Sequence, residues 1–260
     1  MNAEKGCDLK NQKKEIILII VVAVITLVLT VTANGFGAVS AVNAYGKKQL
    51  PIYSVERDDK LISISFDCAW GVEYTDKLLE EMERYGVKCT FFPVQFWTEK
   101  YPEYVEKIDL NGHEFGTHSA THSHMPKLSE KDIVSELNAS AIAIEKITGK
   151  KVTLFRPPYG DYNDKLILTS RKNGYEVIQW DVDSLDWKNL SADEIASRVI
   201  SKVKSGSIIL CHNNGLHTAE ALPLIFSDLQ AKGYKFVPIG ELILKGNYNI
   251  DNNGRQHADS

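Results

Sequence analysis

Cysteine is scarce in this chain, four residues in 260, which rules out a disulfide-stapled scaffold at this length. A basic excess is also missing. Lys and Arg number 30 against 34 Asp and Glu, a net charge of −4, so nothing in the charge balance serves a phosphate backbone and no nucleic-acid partner is expected. Neither G-x-G-x-x-G nor G-x-x-x-x-G-K-[ST] follows any apolar run, so dinucleotide-binding and P-loop readings have no support. No internal repeat is visible. Wholesale disorder is excluded too, because 43% of the residues are apolar and 25% charged, the ordinary globular mixture.

One stretch lacks charge altogether. Between Glu15 and Lys47 there is no Asp, Glu, Lys or Arg, and residues 16–33 read IILIIVVAVITLVLTVTA. About twenty apolar residues cross a hydrocarbon core of roughly 30 Å, and this run shows only threonines where a buried amphipathic helix would show a polar stripe. Lys5, Lys10, Lys13 and Lys14 precede it, which keeps the start in the cytoplasm and exports the rest. The expected organisation is a cytoplasmic N-terminus (1–15), a transmembrane anchor or signal (16–33), a linker (34–59), a globular domain (60–245) and a disordered polar tail (246–260). The length of the run favours a retained anchor, hence a single-pass cell-membrane protein with its globular part outside. Small residues at Val42-Asn43-Ala44 offer a cleavage site, which would make it secreted.

In the globular part, buried-strand patterns alternate with helical ones. Strands are expected at 61–66, 87–94, 113–116, 153–155, 175–181, 207–211 and 234–237, with helices between them over 73–85, 102–110, 129–147, 164–173, 191–204 and 218–232. Ser129 with Asp132 forms a capping-box-like start, and Gly86, Gly149 and Gly174 close helices. This alternation predicts an α/β fold with a parallel sheet, a distorted (β/α) barrel of seven to eight strands.

In such a fold the loops at the carboxyl ends of the strands form the active face. After the first strand come Asp67, Cys68, Ala69, Trp70 and Gly71; after the third, His118 to His122; after the fourth, Arg156-Pro157-Pro158-Tyr159-Gly160. The fifth is followed by Asp183-Ser184-Leu185-Asp186-Trp187, and the sixth by His212-Asn213-Asn214. His118 and His122 are four apart, a spacing that one helical turn aligns for a divalent ion. Ser123-His124 adds a third candidate imidazole. Arg156, backed by two prolines, suits a fixed guanidinium holding a carboxylate. Taken singly, each has a bland reading: an N-cap for Asp67, a surface role for Arg156, a core role for Trp187 and His212. Their placement on one rim favours a site.

These residues resemble the polysaccharide deacetylases, carbohydrate esterase family four with its NodB-homology domain, over roughly residues 60–244. Five motifs carry the resemblance in order: Phe66-Asp67-Cys68-Ala69-Trp70-Gly71, His118 to His122, Arg156 to Gly160, Asp183 to Trp187, and Leu210-Cys211-His212. The first is similar to that of the sporulation-type branch. The resemblance implies metal-assisted hydrolysis of the acetamide C–N bond of an N-acetylated sugar polymer, peptidoglycan or chitin-like, in a Gram-positive spore former. It implies Asp67 as base, Arg156 as its orienting partner, His212 as acid with Asp183 behind it, and His118 and His122 as metal ligands. It further implies the Tyr159 backbone N–H as oxyanion donor and Leu210 and Trp187, with Trp70, as pocket walls. Zinc, or cobalt or another divalent ion, is the implied cofactor and the glycan the implied partner; the membrane is expected as a partner through residues 16–33, and the chain as a monomer.

One position departs from the family. Most members carry Asp-Asp in the first motif, the second a metal ligand, and here it is Cys68. Either Cys68 binds the ion as thiolate, or Asp67 does, or the site is weak or silent and the protein serves as a glycan-binding or spore-cortex assembly protein. Adjacent strand residues point to opposite faces, which favours Cys68 as a small buried residue. Cys89 and Cys211 are likewise expected as buried thiols, with a Cys68–Cys211 bridge conceivable; Cys7 lies ahead of the apolar run.

Overall fold

The structure, a computed structural model, describes Val21 and residues 48–259. The 16–33 segment, apart from Val21, lies outside the described residues, as does Cys7. Among the described residues no helix is long and apolar enough to cross a membrane.

The layering of the domain follows from one strand. β2 (Leu61–Cys68) reads LISISFDC. Its Ile62, Ile64, Phe66 and Cys68 join the larger apolar core, while Ser63, Ser65 and Asp67 take the opposite face. Both serines are wholly buried, and their hydroxyls donate to the carbonyls of Val237 and Ile209. β3 (Thr90–Pro93) and β8 (Ile208–His212) flank β2 in parallel, with Asp67 in register with Phe92 on one side and His212 on the other. Register therefore sets the two chemically loaded residues side by side.

β4 (Glu114–Phe115) lies beyond β3 and β7 (Val182–Asp183) beyond β8, giving the order β4-β3-β2-β8-β7, while β9 (Lys235–Phe236) pairs with the start of β2. β5 (Leu154–Phe155) and β6 (Glu176–Val177) form a separate parallel pair, joined to the rest by the Thr117–Phe155 bridge. The eight strands β2–β9 are all paired in parallel, as the alternating pattern implied, but not as one continuous ladder.

Helices separate the strands: α1 (Thr75–Arg84), α2 (Gln95–Lys100), α3 (Pro102–Leu110), α4 (Glu130–Thr148), α5 (Asp164–Lys172), α6 (Ala192–Ile200), α7 (Thr218–Ala231) and the short α8 (Ile239–Leu242). Their ends are written locally. Ser129 accepts from the Asp132 N–H and Gly149 closes α4 in the left-handed conformation, while Ser191 and Glu194 form a full capping box on α6. A second, smaller apolar cluster contains Ile52, Val55, Phe92, Leu154, Ile178 and Ile208.

Two expectations about the ends of the domain are corrected. The stretch assigned to a linker is built into the fold from its last residues: Ile52 and Val55 are completely buried, and β1 (Ser54–Val55) is a strand. The polar tail is not disordered. It forms the hairpin β10 (Tyr248–Ile250) and β11 (Arg255–Ala258), and β11 pairs in parallel with β1. The physical reason is that polar side chains satisfy the backbone here in place of an apolar face. Asp251 Oδ1 accepts from the N–H groups of Asn253 and Arg255, and the buried Gln256 carboxamide both accepts from and donates to the Leu244 backbone.

Candidate active site

Asp67 ends the inward face of β2 and is nearly buried, at 7% exposure. Arg156, fully buried just past β5, donates from Nη1 to Asp67 Oδ1 at 2.8 Å and from Nη2 to the Gln179 carbonyl at 3.3 Å. The guanidinium lies 4.2 Å from the Phe92 ring centroid, so it is fixed by both charge and stacking. Burial raises the Asp67 carboxyl, but His118, Arg156 and His212 together outweigh it and hold the group below its ordinary value. Asp67 is therefore an ionised, oriented carboxylate.

His118 and His122 meet with ring centroids 5.0 Å apart, although not on a helical turn. They sit on a loop in which Ser119 and His122 take positive φ, +74° and +57°, and Ser119 Oγ accepts from the His122 N–H. Glu136 of α4 braces this loop, accepting from the N–H groups of Ala120 and Thr121 and from the Thr121 hydroxyl. His118 Nδ1 bonds to the Arg156 carbonyl at 2.7 Å, which makes Nδ1 the protonated nitrogen and leaves Nε2, 3.5 Å from Asp67 Oδ2, with a free lone pair. His122 Nδ1 is buried with no hydrogen-bond partner. Burial lowers both imidazoles, His122 to about 4, so His122 is neutral at physiological pH.

These two imidazoles could hold a divalent ion, and the orphaned His122 nitrogen fits such a role. Among the described residues, no three His, Cys, Asp or Glu side chains converge as a complete cage. Cys68 does not complete one: it is wholly buried on the outer face of β2, its thiol against the Phe66 carbonyl, and burial pushes that thiol well above its ordinary value. The thiolate reading of Cys68 is thereby overturned. Cys68, Cys89 and Cys211 are all free and buried, so the conceivable bridge is not formed.

The expected partner of His212 is also corrected. Asp186, not Asp183, bonds to His212 Nδ1 at 2.8 Å, and its other oxygen accepts from the His212 N–H and the Thr218 hydroxyl. Asp183 instead caps its own turn by accepting from the Leu185 N–H. Both carboxylates belong to the stretch DSLDW, three residues apart, and nothing in that spacing ranks them. The choice is made by Leu185, whose φ of +55° reverses the chain and turns the wholly buried Asp186 back toward β8. Burial lowers the His212 imidazole, but the Asp186 hydrogen bond and charge, with Asp67 and Asp183, outweigh it and raise the value.

Asp67, His118, His122 and His212 line one cleft of about 470 Å³ together with Trp70, Tyr159, Asp183, Trp187 and Leu210. Asn214, which follows the sixth expected strand, and Trp180, which no motif singled out, line it as well. His124 stands outside, stacked on Tyr159 with centroids 4.4 Å apart and paired with Asp161. A buried ionised carboxylate and, beside it on the next strand, an imidazole favoured in its protonated form thus share one cleft with the His118 and His122 rings. Such an arrangement can supply a base, an acid and a place for a divalent ion in one concave space.

Comparison with known proteins gives the same class. Residues 54–178 match the polysaccharide deacetylase family model. A peptidoglycan-N-acetylglucosamine deacetylase of Bacillus cereus is 32% identical over 196 residues, 74% of this chain and 92% of the relative. The uncharacterized protein YlxY of Bacillus subtilis is 32% identical over 193 residues, and there the chain spans 60% of the relative's length. A mutant of a CE4 family pseudoenzyme from Bacillus anthracis, with restored enzymatic activity, is 35% identical with a TM-score of 0.71, covering 74% of this chain and 70% of that one. This chain belongs to the polysaccharide deacetylase family, and its enzyme class is that of the peptidoglycan deacetylases, hydrolases of a carbon–nitrogen bond other than a peptide bond.

Proposed function

We propose that this protein removes acetyl groups from N-acetylated sugars of cell-wall glycan by metal-dependent hydrolysis, outside the cytoplasmic membrane and anchored by residues 16–33. The observation that carries the reading is the pairing in one cleft of Asp67, ionised and held by Arg156, with His212, held by Asp186.

His118 and His122 would hold the ion, for which zinc suits two nitrogen donors; Asp67 Oδ2 lies 3.5 Å from His118 Nε2. When bound, the ion polarises the acetamide carbonyl and lowers the pKa of water. Asp67 takes the proton of the attacking water, and Arg156 keeps the carboxylate aimed while the charge moves. The Tyr159 backbone N–H donates to the tetrahedral oxyanion. His212, protonated, gives its proton to the departing amine nitrogen, and Asp186 stabilises the imidazolium until that transfer. Trp187 and Leu210 wall the cleft beside His212 and exclude water from the acetyl methyl.

The test is acetate release from peptidoglycan by the zinc-loaded chain. Asp67→Asn is expected to lower the rate by about a hundredfold or more. A rate unchanged by that substitution rejects the mechanism. A wild-type chain that binds glycan but releases no acetate places the protein with the silent members of its family.

A further inference from the structure

Trp70 stands at the mouth of the cleft, 57% exposed and edge-on to the His122 ring with centroids 5.1 Å apart. Exposed side chains are commonly loose, but the turn behind this one is tied from beneath. Gly71 takes φ +62°, and its carbonyl accepts from Trp97 Nε1 at 2.7 Å and from Asn213 Nδ2 at 2.8 Å. The same Asn213 nitrogen lies 3.4 Å from the Trp70 carbonyl. Trp97 and Asn213 are themselves buried, at 1% and 0% exposure. Asn213 directly follows His212, and its backbone N–H donates to the Asp67 carbonyl. The loop carrying Trp70 is therefore fastened to the strand end that carries His212.

The sheet order adds a second observation. β8 lies between β2 and β7, so His212 sits between the loop of Trp70 and the loop of Trp187, which is 56% exposed. Two strand spacings separate those loops at their bases, roughly 10 Å. That is longer than one pyranose ring. Open indoles on the rim of a polar cleft suit the apolar face of a sugar, which stacks on the ring while its hydroxyls stay in water.

We infer that Trp70 is a specificity-determining residue that stacks a neighbouring sugar of the glycan chain, and that Asn213 is the positioning residue that fixes it. The site thus selects an oligomer over a monosaccharide. The inference rests on the glycan reading of the cleft. Its test is binding, separate from turnover: full-length chain carrying Asp67→Asn, titrated with the β-1,4 tetramer of N-acetylglucosamine and with the monosaccharide.

Trp70→Ala should weaken tetramer binding by about tenfold and monosaccharide binding by clearly less, with Trp70→Phe recovering most of the loss. Asn213→Ala should weaken it by about threefold alone and add nothing in the Trp70→Ala background. Tetramer affinity unchanged by Trp70→Ala, or additive losses in the double variant, overturns the inference. Failure of the hydrolase reading looks different, as acetate release at the parental rate from the Asp67→Asn chain.

Discussion

His212 and Asp186 show how two residues divide one task. A raised imidazole value means that His212 keeps its proton at pH values where an ordinary histidine has begun to lose it, so the acid remains loaded. The rate should therefore fall on the alkaline side only at a pH above the ordinary value of 6.5, as His212 deprotonates. Asp186→Asn removes the largest favourable influence and should bring that limb to lower pH while cutting kcat by about a hundredfold or more. A pH profile of kcat/KM for the two proteins checks both. Cys68 makes the opposite point. Since it faces the apolar layer, Cys68→Ala should leave zinc content unchanged, and Cys68→Asp should gain no zinc affinity while costing about 3 kcal/mol or more by burying a carboxylate. Metal analysis with thermal unfolding decides, and tighter zinc binding by Cys68→Asp would show that the side chain can reach the site.

At the scale of elements, the site depends on loops whose backbone is strained and then braced. Ser119, His122, Tyr159 and Leu185 all take positive φ, and all belong to the loops around the cleft. Strain of this kind persists only where neighbours enforce it, and for the histidine loop the enforcer is Glu136. Glu136→Ala should lower zinc affinity by about tenfold with little change in helicity, as measured by zinc titration and far-UV circular dichroism. The strands were legible in the sequence because apolar side chains such as Ile62, Ile64 and Phe66 alternate with small or polar ones. The rim was legible because chemistry-bearing residues follow those strands. Which carboxylate turns to His212 was not legible, since the answer lies in a left-handed Leu185 that its residue type does not announce. Nor was the loop conformation of His118 to His122, because a spacing of four suits a helix equally well.

At the scale of the folded unit, the first and last of the described strands pair with each other. β11 joins β1, so the last strand of the chain holds the segment that leads in from the N-terminal side. His257 strengthens that contact by bridging Glu56 and Asp251. A chain truncated after residue 247 should lose the partner of β1, expose Ile52 and Val55, and melt several degrees lower, about 4 °C or more. This hairpin escaped sequence reading because its turn is stabilised by Asp251 and its core contact by Gln256, polar residues of the kind that fill unfolded tails. Apolar periodicity reports helices and strands that pack by burial, and it is blind to those that pack by hydrogen bonds.

The central claim, that Asp67, His118, His122 and His212 act as one hydrolytic centre, is tested most directly by acetate release from peptidoglycan. The zinc-loaded full-length chain should release acetate, and Asp67→Asn and His118→Ala should each reduce that release by about a hundredfold or more. Release at the parental rate from either variant, or none from the parent, would contradict it.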